Sequence, residues 1–218
     1  MWAPLPRLLT VAAVCVLAGC ATQAQRQAQT IATNTRATVA QLEACVLAIY
    51  NSPEAEPLRP HLPFKVQEAT LQQMTDTSKA TDEQVNAIFA LHPKLQACRQ
   101  VELQNLATAT PSVVPILVSA FNKDDESLID LIQRKVTWGD FIRQLKSISL
   151  EAQRELTDEG QRIKSNLQRS HEAELAQRQA AANALAQFAQ TQALINSMNR
   201  PVMTNCTGVG NTVNCVTR

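Results

Sequence analysis

Six cysteines and three histidines carry most of the reactive chemistry in this chain. The cysteines are Cys15, Cys20, Cys45, Cys98, Cys206 and Cys215. Such thiols can cross-link, bind a metal or accept a covalent group, and their spacing decides among these uses. Zinc is one competing use, but no Cys-x-x-Cys pair occurs. Cys206 and Cys215 flank Gly210-Asn211, two residues that tolerate the positive φ of a two-residue hairpin turn. Pairing outward from that turn sets Val209 against Thr212, Gly208 against Val213, Thr207 against Asn214 and Cys206 against Cys215. The cysteines fall on a non-hydrogen-bonded pair, where Cα atoms lie about 4.5 Å apart, within disulfide range. A bare two-stranded hairpin is marginal in water, so the bridge accounts for how a small tip stands. With Cys15 and Cys20 of the N-terminus set aside, that pairing leaves Cys45 for Cys98. Their bridge closes about fifty residues and contributes roughly 4 kcal/mol in the chain-entropy model.

The remaining candidates point away from catalysis. His171 and Glu174 lie three apart on one helix face and could supply two metal ligands. A di-iron bundle site wants Glu three residues before His, and that place is Gln168. His61, in a proline-rich stretch, and His92, before Pro93, read as structural or solvated. No Gly-x-Ser-x-Gly elbow, P-loop, His-Glu-x-x-His helix or glycine-rich dinucleotide turn is present. Ser147 and Ser149 have no evident base, and Asp124-Asp125-Glu126 reads as helix-start chemistry rather than a catalytic pair. The expectation is therefore no catalytic residue, no metal and no cofactor.

The two outlying cysteines belong to the N-terminus. Arg7 precedes an apolar run, Leu8 to Val16, that ends in Leu17-Ala18-Gly19-Cys20. A basic start, an apolar middle and small residues before a cut form an export signal, and the run is too short to span a bilayer. Leu17 to Cys20 resembles the lipobox of bacterial lipoproteins. The resemblance implies cleavage before Cys20, with a diacylglycerol on its sulfur. Cys15 would leave with the leader. Two or three acyl chains hold a protein at a membrane, at roughly 0.8 kcal/mol per buried CH₂. The likeness also implies an oxidising compartment, where the four other cysteines can pair. By resemblance to enterobacterial lipoproteins, Ala21 fits sorting to an outer membrane facing the periplasm.

Composition sets the class. The chain has 20 basic and 19 acidic residues, and loss of Arg7 would leave 19 against 19. That balance gives no electrostatic footprint for nucleic acid. Aromatic residues make up 4%, glycine occurs only 5 times, and Ala, Gln and Leu abound, a helical composition.

The elements that must position these residues follow from periodicity. Residues 1–19 form the signal and the polar stretch 20–36 a tether. Val39, Leu42, Val46 and Ile49 mark one buried helical face, with Cys45 beside it. Four prolines between Asn51 and Pro63 make a surface loop. A short helix over 64–74 turns Val66 and Leu71 inward. Thr81 and Gln84 form a capping box for a helix bearing Val85, Ile88, Phe89, Leu95, Cys98, Leu103 and Leu106, kinked at Pro93. Thr110-Pro111 starts a core helix, and Asp124 caps a separate one. Thr137 caps the longest element, about 60 residues and on the order of 90 Å, which Arg200-Pro201 ends.

The predicted fold is all-α. A helical bundle covers 37–150, a long C-terminal helix covers 137–199, and a small disulfide-closed β-hairpin covers 200–218. Leu185, Phe188 and Ile195 restore a three–four rhythm late in the long helix, a seam that wants a partner. With Val209 and Val213 of the hairpin, they are the candidate partner-binding residues. The leading expectation is a lipid-anchored cell-envelope structural or interaction protein without catalytic activity. It contacts the membrane through Cys20 and an envelope protein, or a second copy, through the helix. The alternatives are a periplasmic binding or holdase-like helper using that helix, and an envelope hydrolase. The outline also resembles the small murein-linked lipoproteins. Those end in lysine, whereas Arg218 stays protonated and is a poor nucleophile.

Overall fold

The computed structural model describes residues 21–198 and 204–217. The expected leader, Cys20 and the expected stop at Arg200-Pro201 lie outside the described residues. Contacts divide the chain into two units, residues 1–170 and 171–218. The architecture is helical: α1 (Gln23–Tyr50), α2 (Leu71–Met74), α3 (Asp82–Ala109), α4 (Val114–Ile132) and α5 (Trp138–Met198). In the second unit β1 (Thr204–Val209) pairs antiparallel with β2 (Thr212–Thr217). Among the described residues no helix is long and apolar enough to cross a membrane.

α1 begins earlier than the polar composition of 20–36 implies. The Thr22 hydroxyl accepts the Gln25 backbone N–H at 3.2 Å, and the Gln25 side chain accepts the Thr22 N–H at 3.0 Å. Gln and Ala propagate a helix from that cap at little cost, so the expected tether is helix from Gln23 onward. α1 packs on α3, and the Cys45–Cys98 disulfide joins them with Cα atoms 6.0 Å apart. The bond turns Thr38, Leu42, Cys45 and Ile49 toward α3. Val39, expected inside, is 50% exposed.

The Asn51–Pro63 stretch is not a surface loop. A 3-10 turn at Pro53–Ala55 sends Ala55 and Leu58 into the core. The Arg59 guanidinium fastens the stretch, donating to the Tyr50 carbonyl at 3.0 Å and the Ser52 carbonyl at 2.8 Å. Beyond it only a 3-10 turn at Val66–Glu68 and the four-residue α2 form, both interrupted by Ala69-Thr70. Leu71 therefore faces solvent at 74% exposure, and Met74 packs inward instead.

The predicted capping box opens α3: Thr81 Oγ1 accepts the Gln84 N–H, and Gln84 Oε1 accepts the Thr81 N–H. Gln84 does more than cap. Its Oε1 also accepts the Trp138 indole N–H at 3.1 Å, and its amide donates to the Pro57 carbonyl at 3.2 Å. One buried amide thus ties α3 to α5 and to the proline-rich segment. Pro93 sits inside α3 without ending it. It cannot donate to the Phe89 carbonyl, and both residues lie on the exposed side. Phe89 is 60% exposed, so the inward stripe is Gln84, Ala87, Ile88 and Leu91, with Val85 packed against the core and Phe89 outside it.

Pro115 occupies the first turn of α4, where its missing N–H costs nothing. α4 then runs unbroken to Ile132. Asp124 is interior to it and is not the cap of a separate helix.

The start of α5 closes the core. Thr137 Oγ1 accepts the Asp140 N–H, and the Asp140 carboxylate accepts the Thr137 N–H. Trp138, Phe141 and Ile142 then insert against Leu131, Ile88 and Leu91. His61 stacks on Trp138 with ring centroids 4.9 Å apart. Gly139 lets this turn approach the chain after α2, donating its N–H to the Asp76 carbonyl at 2.9 Å. A Cβ there would lie 2.7 Å from the Met74 carbonyl oxygen and 2.8 Å from that of Asp76. Both are backbone atoms that cannot rotate aside. Gly139→Ala is expected to destabilise the protein by about 2 to 3 kcal/mol, read as a lowered midpoint in thermal unfolding followed by circular dichroism.

Candidate functional site

The core of the first unit is not filled completely. A cavity of about 210 Å³ lies among α1, α3, α4, the start of α5 and the proline-rich segment. Leu58, Leu62, Ile88, Leu91, Trp138 and Phe141 give it an apolar wall. Charged side chains also line it: Arg59 from the proline-rich segment, His92 and Arg99 from α3, Asp124 and Asp125 from α4.

Helical spacing builds the α3–α4 cluster. His92, Gln96 and Arg99 recur at four and three residues on one face of α3. Arg99 Nη1 donates to Asp125 Oδ1 at 2.7 Å, and Nη2 to Asp124 Oδ2 at 3.2 Å. Gln96 donates to the second Asp125 oxygen at 2.8 Å, and His92 Nε2 lies 3.3 Å from the first. The guanidinium carbon sits 4.5 Å from the centroid of the Phe121 ring, a cation–π contact. The Arg99 side chain is 9% exposed, so its charge is inside the protein.

Burial acts on the two aspartates with opposite outcomes. Asp124 is pushed up to about 6 by burial and, less, by Asp125, against the pull of Arg99. Burial also pushes Asp125 upward, but hydrogen bonds and charge from Arg99 and His92 outweigh it and hold the group below the ordinary range. Two neighbouring carboxyls of unlike acidity invite an acid–base reading. No serine, threonine, cysteine or lysine lines the cavity, whereas Tyr50 does. His61 lines no part of it either, since its Nδ1 pairs with Asp76 Oδ2 at 2.6 Å.

A second pocket of about 200 Å³ lies between α1 and α3 beside the Cys45–Cys98 bond. Glu102, 7% exposed, lines it, and its Oε2 has no hydrogen-bond partner among the described residues. Burial raises this carboxyl to about 7, opposed by Arg99. A carboxyl with a raised folded pKa loses stability as pH climbs from its unfolded value to its folded one. For Glu102 that window runs from about 4.5 to about 7, and for Asp124 from about 3.8 to about 6. The lowered groups Asp125 and Asp76 act below that range. Glu102→Gln is expected to leave stability at pH 5 nearly unchanged. It should raise stability at pH 8 by up to about 3 kcal/mol, measured by urea unfolding at the two pH values.

The residues expected from sequence are distributed as follows. Cys45 and Cys98 are bonded, as are Cys206 and Cys215, whose Cα atoms lie 4.0 Å apart. Leu185, Phe188 and Ile195 are exposed on α5 at 70%, 62% and 52%, and Leu194 joins them at 65%. Val209 lies in β1 opposite Thr212, and Val213 in β2 opposite Gly208. Among the described residues no group of three or more His, Cys, Asp or Glu could hold a metal.

The Arg99 cluster escaped sequence reading because a local rule absorbed its acidic half. Asp-Asp-Glu after an apolar run reads as a helix start. The signal that could have found it lies on α3. Arg99 continues the stripe Ile88, Leu91, Leu95, and a guanidinium on a core stripe needs carboxylates opposite. No protein-family model, curated protein or solved structure matches this chain.

Proposed function

We propose that this is a lipid-anchored cell-envelope interaction protein that works by binding rather than by catalysis. The anchor is Cys20, by the lipobox resemblance of Leu17-Ala18-Gly19-Cys20. The binding element is the last stretch of α5. The observation that carries this reading is its row of large apolar side chains, Leu185, Phe188 and Ile195, each more than half exposed. In water such a row favours a partner helix, because burying each side chain contributes about 1.5 to 3 kcal/mol. The occupant we assign is a second copy of this chain, whose identical row supplies the same three–four spacing. A disulfide-closed hairpin after α5 is part of the reading. It is supported by the β1–β2 register, which sets Cys206 against Cys215.

Two experiments test the proposal. A fatty-acid probe should label the wild-type protein in cells and fail to label Cys20→Ser; an unlabelled wild type removes the anchor. A photoreactive residue at Phe188 should capture a second copy of the chain. Capture of a different protein assigns the row to that partner, and capture of assorted unfolded chains favours a holdase.

A further inference from the structure

We propose that the cavity of the first unit binds a small amphipathic carboxylate, its apolar body against Ile49, Leu95 and Leu128 and its acid group against the Arg59 guanidinium. The inference is independent of how the protein is anchored or what α5 contacts.

Size comes first. A dry apolar cavity of about 150 Å³ is enough to take benzene, so six carbons there scale to about eight in this one. About 210 Å³ is bounded mainly by aliphatic and aromatic side chains.

Charge selects the head group. Asp125 is saturated by Arg99, Gln96 and His92, and Asp124 is engaged by Arg99. Arg59 differs from these. Among the described residues no carboxylate forms an ion pair with it, and it donates to the Tyr50 and Ser52 carbonyls. A guanidinium carries five N–H donors, so two carbonyls leave donors and a full positive charge on the cavity wall. A planar carboxylate matches that fork geometrically and in charge. An alcohol of the same length would keep the apolar contacts and lose the ion pair. An alkylammonium would place a second cation beside Arg59.

The test uses the full chain carrying Trp2→Phe, so that Trp138, on the cavity wall, is the only tryptophan. Octanoate, octanol and octylammonium are titrated separately, following Trp138 emission and the heat of binding. Octanoate should saturate the signal at least tenfold more tightly than octanol, with octylammonium no tighter than octanol. Arg59→Gln keeps amide donors for the loop carbonyls and removes the charge. It should bring octanoate to the octanol level while octanol binding stays as in the parent. Leu128→Phe, which fills the cavity from α4, should abolish both, with thermal melting confirming that it folds. No saturable change with octanoate overturns the proposal. So does octylammonium binding more tightly than octanoate, or octanoate affinity that survives Arg59→Gln.

Discussion

Replacing Cys45 and Cys98 together by alanine is expected to lower stability by about 4 kcal/mol and the melting midpoint by roughly 10 °C. The reason lies in the unfolded chain. The bond spans a sequence separation of 53, so opening it releases a long loop whose closure entropy the native protein no longer recovers. Alanine is the right replacement because Cys98 is 5% exposed, and a serine hydroxyl there would add a buried polar group. Reducing the wild type should reproduce the shift, and reducing the double variant should add little to it. Replacing Cys206 and Cys215 should leave this transition in place, since that bond lies in the other unit. A double variant that melts with the wild type would mean that α1 and α3 stay together by packing alone.

Arg99→Met should cost about 3 to 5 kcal/mol, the usual effect of removing one partner from a buried ion cluster. Methionine keeps much of the side-chain volume, so lost packing is minor. What remains is Asp124 and Asp125 side by side without their cation, each still under the desolvation that already raises Asp124. The sign with pH follows. Without Arg99 the upward push of burial acts unopposed on Asp124 and is opposed at Asp125 by His92. The penalty is therefore small at low pH, where both are protonated in either state, and grows as pH rises. Adding Asp124→Asn and Asp125→Asn to Arg99→Met should recover a large part of the loss at pH 7. Urea unfolding of the single and triple variants at pH 5 and pH 7 measures this. Equal losses at both pH values would show that Arg99 contributes packing on Phe121 rather than charge.

Local chemistry was legible wherever the nearest neighbours decide the outcome. The Thr81–Gln84 cap, the Thr137–Asp140 helix start and the proline-free run that became α5 depend on residues within one turn of each other. The Cys45–Cys98 bond was reached by elimination, since a thiol count leaves few pairings. Errors gathered where a side chain's direction depends on a distant segment. Val39, Leu71 and Phe89 fit an apolar rhythm, yet each points to solvent. Periodicity gives the presence of a face, and only the neighbouring helix gives its rotation. The inward face of α1 keeps Leu42, Val46 and Ile49 but takes Thr38 in place of Val39, and the interruption at Ala69-Thr70 cut the 64–74 segment into pieces too short to carry a stripe.

The sequence by itself determined that this chain is helical, where α3 and α5 start, and which of its thiols could pair, because hydrogen-bond caps, propensity and short-range turns are local energies. Tertiary structure alone decided that the proline-rich segment enters the core, that Gln84 ties three segments together, and that Arg99 meets Asp124 and Asp125 beside a cavity. A buried charge is tolerable only when its counter-charge arrives from elsewhere in the chain. Those partners sit 25 and 26 residues away from Arg99, beyond any window over which a pattern of residues can be read.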